Sequence, residues 1–119
     1  MNLNNFLWVF LGGGLGSAIR FLFSQWILKS EQDVIPLATL LANVLACMIM
    51  ALTFRFLSPL SETARLFLFV GICGGLSTFS TFSLETISMI RCGQLSWAIG
   101  NILLNVFLCL GILFFTIRK

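Results

Sequence analysis

The sequence predicts an all-α membrane protein with four transmembrane helices and a break in the third. Composition, the placement of charge and the spacing of apolar runs carry that prediction. Of 119 residues, 59% are hydrophobic and 9% charged, and mean hydropathy is +1.06. Soluble domains run nearer ~45–50% apolar and ~25% charged, and a soluble monomer this small has too little interior to bury so much apolar surface. An ordinary cytosolic domain, a disordered chain and a nucleic-acid-binding module are thereby excluded. The expected surroundings are a lipid bilayer, with no nucleic acid.

Uncharged apolar runs divide one domain, residues 1–119, into spans at about 6–28, 34–57, 62–90 and 94–117. Each is long enough to cross roughly 30 Å of hydrocarbon at ~1.5 Å per residue. The opening Met1-Asn2-Leu3-Asn4-Asn5 has no basic segment, and the run after it is too long for a signal core, so it reads as a retained span. Lys29-Ser30-Glu31-Gln32-Asp33 joins the first two spans, with Pro36 in the first turn of the second. Ser58-Pro59-Leu60-Ser61-Glu62 joins the next pair, where Ser58 or Ser61 can cap the third helix. Gly93-Gln94 turns the chain into the last span. Connections this short force antiparallel neighbours and bring both termini to one side. Trp8, Trp26 and Trp97 lie near span ends, as interfacial anchors do.

Basic residues set the orientation of such a chain. Arg55, Arg65, Arg118 and Lys119 lie on the side of the termini; Lys29 and Arg91, with Arg20 if it snorkels that way, lie on the other. The bias is weak enough for insertion in either orientation. There is no His for a metal site or proton relay. Cys47, Cys73, Cys92 and Cys109 make no C-x-x-C pair and read as reduced small hydrophobes.

Polar residues inside the spans are costly and need partners. In the first span, Gly12 with Gly16 and Gly13 with Ser17 are small-xxx-small pairs that allow close helix contact. Arg20, one turn on, is either a carbonyl-bonded or snorkelling anchor at the mouth of the bundle or an attractor of anions in a vestibule. In the second span, Ala38, Ala42 and Ala46 make a packing stripe beside Thr39, Asn43 and Cys47. The Asn43 amide is either glue between helices or a donor placed in a low-dielectric site.

The third span carries Gly74-Gly75, which costs roughly 2 kcal/mol of helix propensity, followed by Ser77, Thr78, Ser80, Thr81 and Ser83. Their hydroxyls compete for the backbone, so a break in mid-membrane is expected there. The freed carbonyls must be buried or bound, and carbonyl oxygens suit a hard cation such as Na⁺. Phe79 and Phe82 share a helical face among these hydroxyls. A phenyl ring has a positive edge, which can accept an anion without holding it tightly. Asn101, Asn105 and Cys109 put a polar stripe on the fourth span. Glu85 is expected near one mouth, close to Arg20 or Arg91. No Asp or Glu stands at mid-membrane, which argues for a passive channel over a proton-coupled pump, and nothing reads as an enzyme.

Gly12-Gly13-x-x-Gly16-x-x-x-Arg20, Thr39-Leu40-x-x-Asn43 and, most specifically, Gly71-x-x-Gly74-Gly75-x-x-Thr78-Phe79-Ser80-Thr81-Phe82-Ser83-x-Glu85 together resemble the Fluc/CrcB family of small fluoride channels. The likeness covers nearly the whole chain. It implies an antiparallel, dual-topology homodimer in the cell (inner) membrane that exports cytoplasmic fluoride passively. It implies fluoride pathways lined by Thr39, Asn43, Phe79, Ser80, Thr81 and Phe82, with Asn101 and Asn105 on the fourth helix. It further implies a structural Na⁺ at the dimer centre, held by the main-chain oxygens of Gly74 and Ser77 from both subunits, and vestibule roles for Arg20 and Glu85. Ser77 stands where Thr is common, and the fourth-helix track, which often holds Tyr or Ser, has no Tyr here. The rival is a small multidrug-type four-helix exporter, which relies on a carboxylate in a first span that here holds none. A helper subunit of a larger complex would leave the aligned Asn, Phe and hydroxyl pattern without a purpose.

Overall fold

A computed structural model describes residues 2–27 and 36–118; the connection at residues 29–33 and the terminal Lys119 lie outside them. Among the described residues the chain is all helical and has four stretches long and apolar enough to cross a membrane: Leu3–Ile27, Leu37–Phe56, Glu62–Arg91 and Leu95–Ile117. The first is α1 (Leu3–Ile27), which begins ahead of the apolar run because the Asn2 side chain caps it, its Oδ1 accepting from the Asn4 N–H at 3.1 Å. In α2 (Leu37–Phe56), Pro36 stands just before the first turn, its carbonyl accepting from the Leu40 N–H at 3.2 Å.

The third span is built from several pieces. Ser61, with Glu62 in the first turn, caps α3 (Glu62–Arg65) by accepting from the Ala64 N–H at 3.2 Å, which decides between the two serines named above. A π-helical segment, Leu66–Cys73, follows, then α4 (Gly74–Leu76). Ser77 (φ −76°, ψ 148°) and Thr78 (φ −149°, ψ 118°) are extended, and α5 (Phe79–Arg91) starts with Thr78 as its cap. Gly93, at φ +76°, supplies the left-handed turn into α6 (Leu95–Ile117).

Gly74 and Gly75 are thus helical, whereas the sequence placed the departure from helix on them. At Gly75, close packing accounts for the difference. A Cβ on Gly75 would meet the Gly13 carbonyl oxygen at 2.3 Å, and one on Gly16 would meet that of Ile72 at 2.3 Å. A Cβ on Gly12 would come within 2.4 Å of the Phe67 carbonyl, and one on Gly71 within 2.8 Å of the Gly12 Cα. Gly12 and Gly16 on α1 therefore mesh with Gly71 and Gly75 on the third span, backbone against backbone. Trp8 seals this seam, its ring edge-on to Phe67 at 5.9 Å.

On the other side of the third span, the alanine stripe of α2 forms the apolar core. Ala42, Ala46, Cys73 and Leu76 are buried together, with Ile19, Phe23 and Leu45 packed around them. At one end, the Asn5 amide donates to Glu62 Oε1 at 3.0 Å and the Arg55 guanidinium to the Thr116 carbonyl at 3.0 Å. That end therefore gathers the start of α1, the end of α2, the start of α3 and the end of α6.

Candidate functional site

The site is organised by how the chain resolves its extended step at Ser77–Thr78. In a continuous helix the Thr78 N–H would close onto the Gly74 carbonyl. Instead it donates to Asn43 Oδ1 on α2 at 2.8 Å. The Thr81 N–H would likewise close onto the Ser77 carbonyl, but donates to the capping Thr78 hydroxyl at 3.2 Å. Gly74 and Ser77 thus both lose the helical donors of their carbonyls, and both residues are exposed on the surface of the chain. The Gly75 carbonyl is treated differently: it accepts from Arg20 Nε at 3.2 Å and from the Ser17 hydroxyl at 3.5 Å. Arg20 is accordingly a carbonyl-bonded clamp between α1 and α4.

A hydrogen-bonded relay spreads from Asn43 across three helices. Asn43 Nδ2 donates to Asn105 Oδ1 at 2.9 Å, and Asn105 Nδ2 donates to both oxygens of Asn101 at 3.0 Å. Asn101 Nδ2 donates to Thr86 Oγ1 at 3.0 Å, which donates to the Phe82 carbonyl at 2.8 Å. Asn101 is 0% and Asn105 6% exposed, so their amides are spent on this network inside the chain. Asn43 is half-buried and retains one amide N–H beyond the bond to Asn105. Thr86, buried at the hinge of the relay, escaped the sequence reading because it lies past the Phe–hydroxyl cluster; its position one turn beyond Phe82 was the available signal.

Phe82 is 9% exposed, Phe79 80%. Their ring centroids are 5.7 Å apart at 47°, so one ring lines the interior and the other stands out from the chain beside it. Ser80 is exposed and Thr81 half-buried; both hydroxyls lie against that of Thr78, at 3.3 and 3.1 Å. Midway along α5, Glu85 Oε1 accepts at 2.7 Å from the hydroxyl of Thr39, which is buried on α2. The Glu85 partner is therefore Thr39 and not Arg20 or Arg91: α2 packs against this face of α5, and Arg91, six residues on, projects from another face of the same helix. The second oxygen, Oε2, is buried without a hydrogen-bond partner among the described residues.

The sequence thus named most residues of this arrangement: a third span with an extended step and two released carbonyls, a spare amide N–H and two phenyl rings, with a carboxylate held apart by Thr39. A family model described as "CrcB-like protein, Camphor Resistance (CrcB)" matches residues 7–117. The chain belongs to the CrcB-like family. Among its CrcB-like relatives is a protein of Yersinia pestis named "Fluoride-specific ion channel FluC 1", 44% identical over 106 residues, covering 87% of this chain and 83% of the relative. A protein of Serratia proteamaculans (strain 568) named "Fluoride-specific ion channel FluC" is 42% identical over 107 residues, 87% of this chain and 84% of the relative. One of the same name from Clostridium perfringens (strain 13 / Type A) is 42% identical over 99 residues, 81% and 77%. Membership in a CrcB-like channel family, together with four spanning helices, makes this a multi-pass membrane protein.

Proposed function

We propose that the chain forms a fluoride-selective channel through which cytoplasmic fluoride leaves passively, and that it works as an antiparallel homodimer of dual-topology copies in the cell (inner) membrane. The observation that carries the reading is the meeting of Asn43, Phe79 and Phe82 at the extended Ser77–Thr78 step, in a chain 44% identical to a relative named as a fluoride-specific channel. A partly dehydrated anion needs donors in place of water, yet a full positive charge there would trap it. The spare Asn43 N–H and the positive rims of Phe79 and Phe82 supply weak, fixed attraction of that kind. Ser80 and Thr81 offer further hydroxyls along the face. Asn101 and Asn105 act one step back, holding the Asn43 amide in place. This is conduction, with no reaction for an enzyme to catalyse.

The pairing of copies is supported by what one chain leaves bare. Irregular backbone is not tolerated against lipid, yet Gly74, Ser77 and Ser80 are exposed at the interruption and Phe79 is 80% exposed beside them. A second copy, inverted, covers that face with an identical one. The same symmetry doubles the released carbonyls of Gly74 and Ser77 into a four-oxygen set on the two-fold axis. That donor set is hard, uncharged and relieved of its helical donors, which fits a structural Na⁺. Arg20 and Glu85 take the vestibule roles.

Reconstitution into liposomes with a fluoride electrode tests the proposal. Rapid passive fluoride efflux with chloride retained is the expected result. Folded, correctly inserted protein that releases no fluoride, or releases chloride equally, overturns it.

A further inference from the structure

The two helices that carry the asparagines run parallel: Asn43 bonds to Asn105 and Arg55 to Thr116, partners 62 and 61 residues apart. Cys47 and Cys109 keep the same offset, one turn beyond the asparagines, so the parallel register sets them side by side on the two helices. Both are half-buried. A third thiol, the buried Cys73, is turned to another task, its Sγ donating to the Ala46 carbonyl at 3.4 Å. Among the described residues no group of three or more His, Cys, Asp or Glu gathers as a metal site. A cation here therefore has two protein ligands, both sulfur. Zn²⁺ asks for about four ligands, whereas thiol and thioether sulfur selects soft ions.

The seam between α2 and α6 opens about one turn beyond the pair. A groove of about 380 Å³ between α2 and α6 begins at Met48, the neighbour of Cys47, and at Gly111, just past Cys109. Ala51, Leu52, Ile112 and Phe115 line the rest, so the walls are apolar, and nothing lies within 4 Å of where a Gly111 side chain would start. A hydrated hard cation gains nothing in such a groove. A neutral complex such as mercuric chloride dissolves in it, and the Met48 thioether adds a soft contact on the way.

We propose that Cys47 and Cys109 form a two-thiol site for a soft, thiophilic cation of the Hg²⁺, Ag⁺ or Cu⁺ class, entered from the bilayer through this groove. With mercuric chloride, two S–H and two Hg–Cl bonds break, two S–Hg bonds form, two HCl leave, and no electrons are transferred. The bridge ties α2 to α6 one turn from the Asn43–Asn105 bond. Binding stands apart from the channel reading; loss of fluoride efflux on binding rests on it.

The test uses the Cys92→Ser chain, since Cys92 is exposed and would react on its own. Purified protein is treated with mercuric chloride, washed with glutathione and weighed intact. The expected mass gain is one Hg less two hydrogens, kept in Cys73→Ser and lost in Cys47→Ser, Cys109→Ser and Cys109→Ala. A bridge that persists without Cys47 or Cys109, or that vanishes with Cys73 alone, overturns the proposal. In liposomes, mercuric chloride should stop efflux through Cys92→Ser channels, a dithiol should restore it, and Cys47→Ser channels should be insensitive relative to their own untreated rate. Untreated protein that carries no fluoride at all counts against the channel, while the mass result still judges the site.

Discussion

Asn43 does two jobs with one side chain, and its replacement separates them from ordinary packing. Its carbonyl takes the Thr78 N–H and its amide anchors Asn105. Asn43→Ala leaves a main-chain donor and a side-chain acceptor without partners, at about 1–3 kcal/mol for each group left unsatisfied. A lower unfolding temperature and loss of fluoride efflux are both expected. Thr86→Val keeps the shape but strips the hydroxyl that links Asn101 to the Phe82 carbonyl. It should cost about 1–3 kcal/mol in denaturant titration, with efflux reduced through the loosened Asn101–Asn105–Asn43 series. The two phenyl rings make a sharper contrast. Phe82→Ile, at a 9% exposed position, should cost roughly 1 kcal/mol. Phe79→Ile, 80% exposed in one chain, should leave chain folding alone. Both should abolish flux; normal efflux from Phe79→Ile would remove the ring-edge role from that residue.

At the scale of elements, the seam between α1 and the third span depends on glycines for proximity and not for flexibility. Gly16→Ala and Gly75→Ala each place a methyl group 2.3 Å from a carbonyl oxygen of the facing element. Neither backbone can retreat without moving a whole helix, so each should cost about 1–3 kcal/mol and weaken the Arg20–Gly75 clamp. Gly14 is the internal control, with nothing within 4 Å of its would-be Cβ. Gly14→Ala should be neutral or stabilising by about 0.5–1 kcal/mol. Thermal melts followed by tryptophan fluorescence compare the three, and equal effects at Gly14 and Gly75 would discard the close-contact explanation. The extended step at Ser77–Thr78 is stabilised from outside its own helix, by the Asn43 carbonyl and the Thr78 cap. It is therefore a property of α2 and α5 together.

For the whole molecule, the face around Gly74, Ser77, Phe79 and Ser80 is exposed in one chain and needs a cover within the bilayer. In the proposed antiparallel pair an inverted second copy provides it by symmetry, and the proposal requires both orientations to insert. Cys92, exposed in the turn between α5 and α6, reports on this directly. In a chain whose other cysteines are serine, a membrane-impermeant maleimide added to intact cells should label part of the population and reach the rest only after permeabilisation. Labelling that is all or none before permeabilisation would establish a single orientation and remove the antiparallel pair.

Composition and periodicity alone determined the membrane setting, the number of spans and a short connection with a serine cap, because these depend on local hydropathy and turn chemistry; the structure chose Ser61 over Ser58. They also singled out Thr39, Asn43, Phe79, Phe82, Asn101, Asn105 and Glu85, since polar or paired aromatic residues stand out against an apolar background. Partnership was not legible. Thr39 binding Glu85, Arg20 binding the Gly75 carbonyl, and the relay through Thr86 each join residues far apart in the chain. The helical state of Gly75 was misread for the same reason: propensity weighs a glycine by its own freedom, whereas here the facing backbone of α1 decides. Tertiary contact chose which peptide groups leave the helix, because only a neighbouring helix could offer the Thr78 N–H a better acceptor than its own.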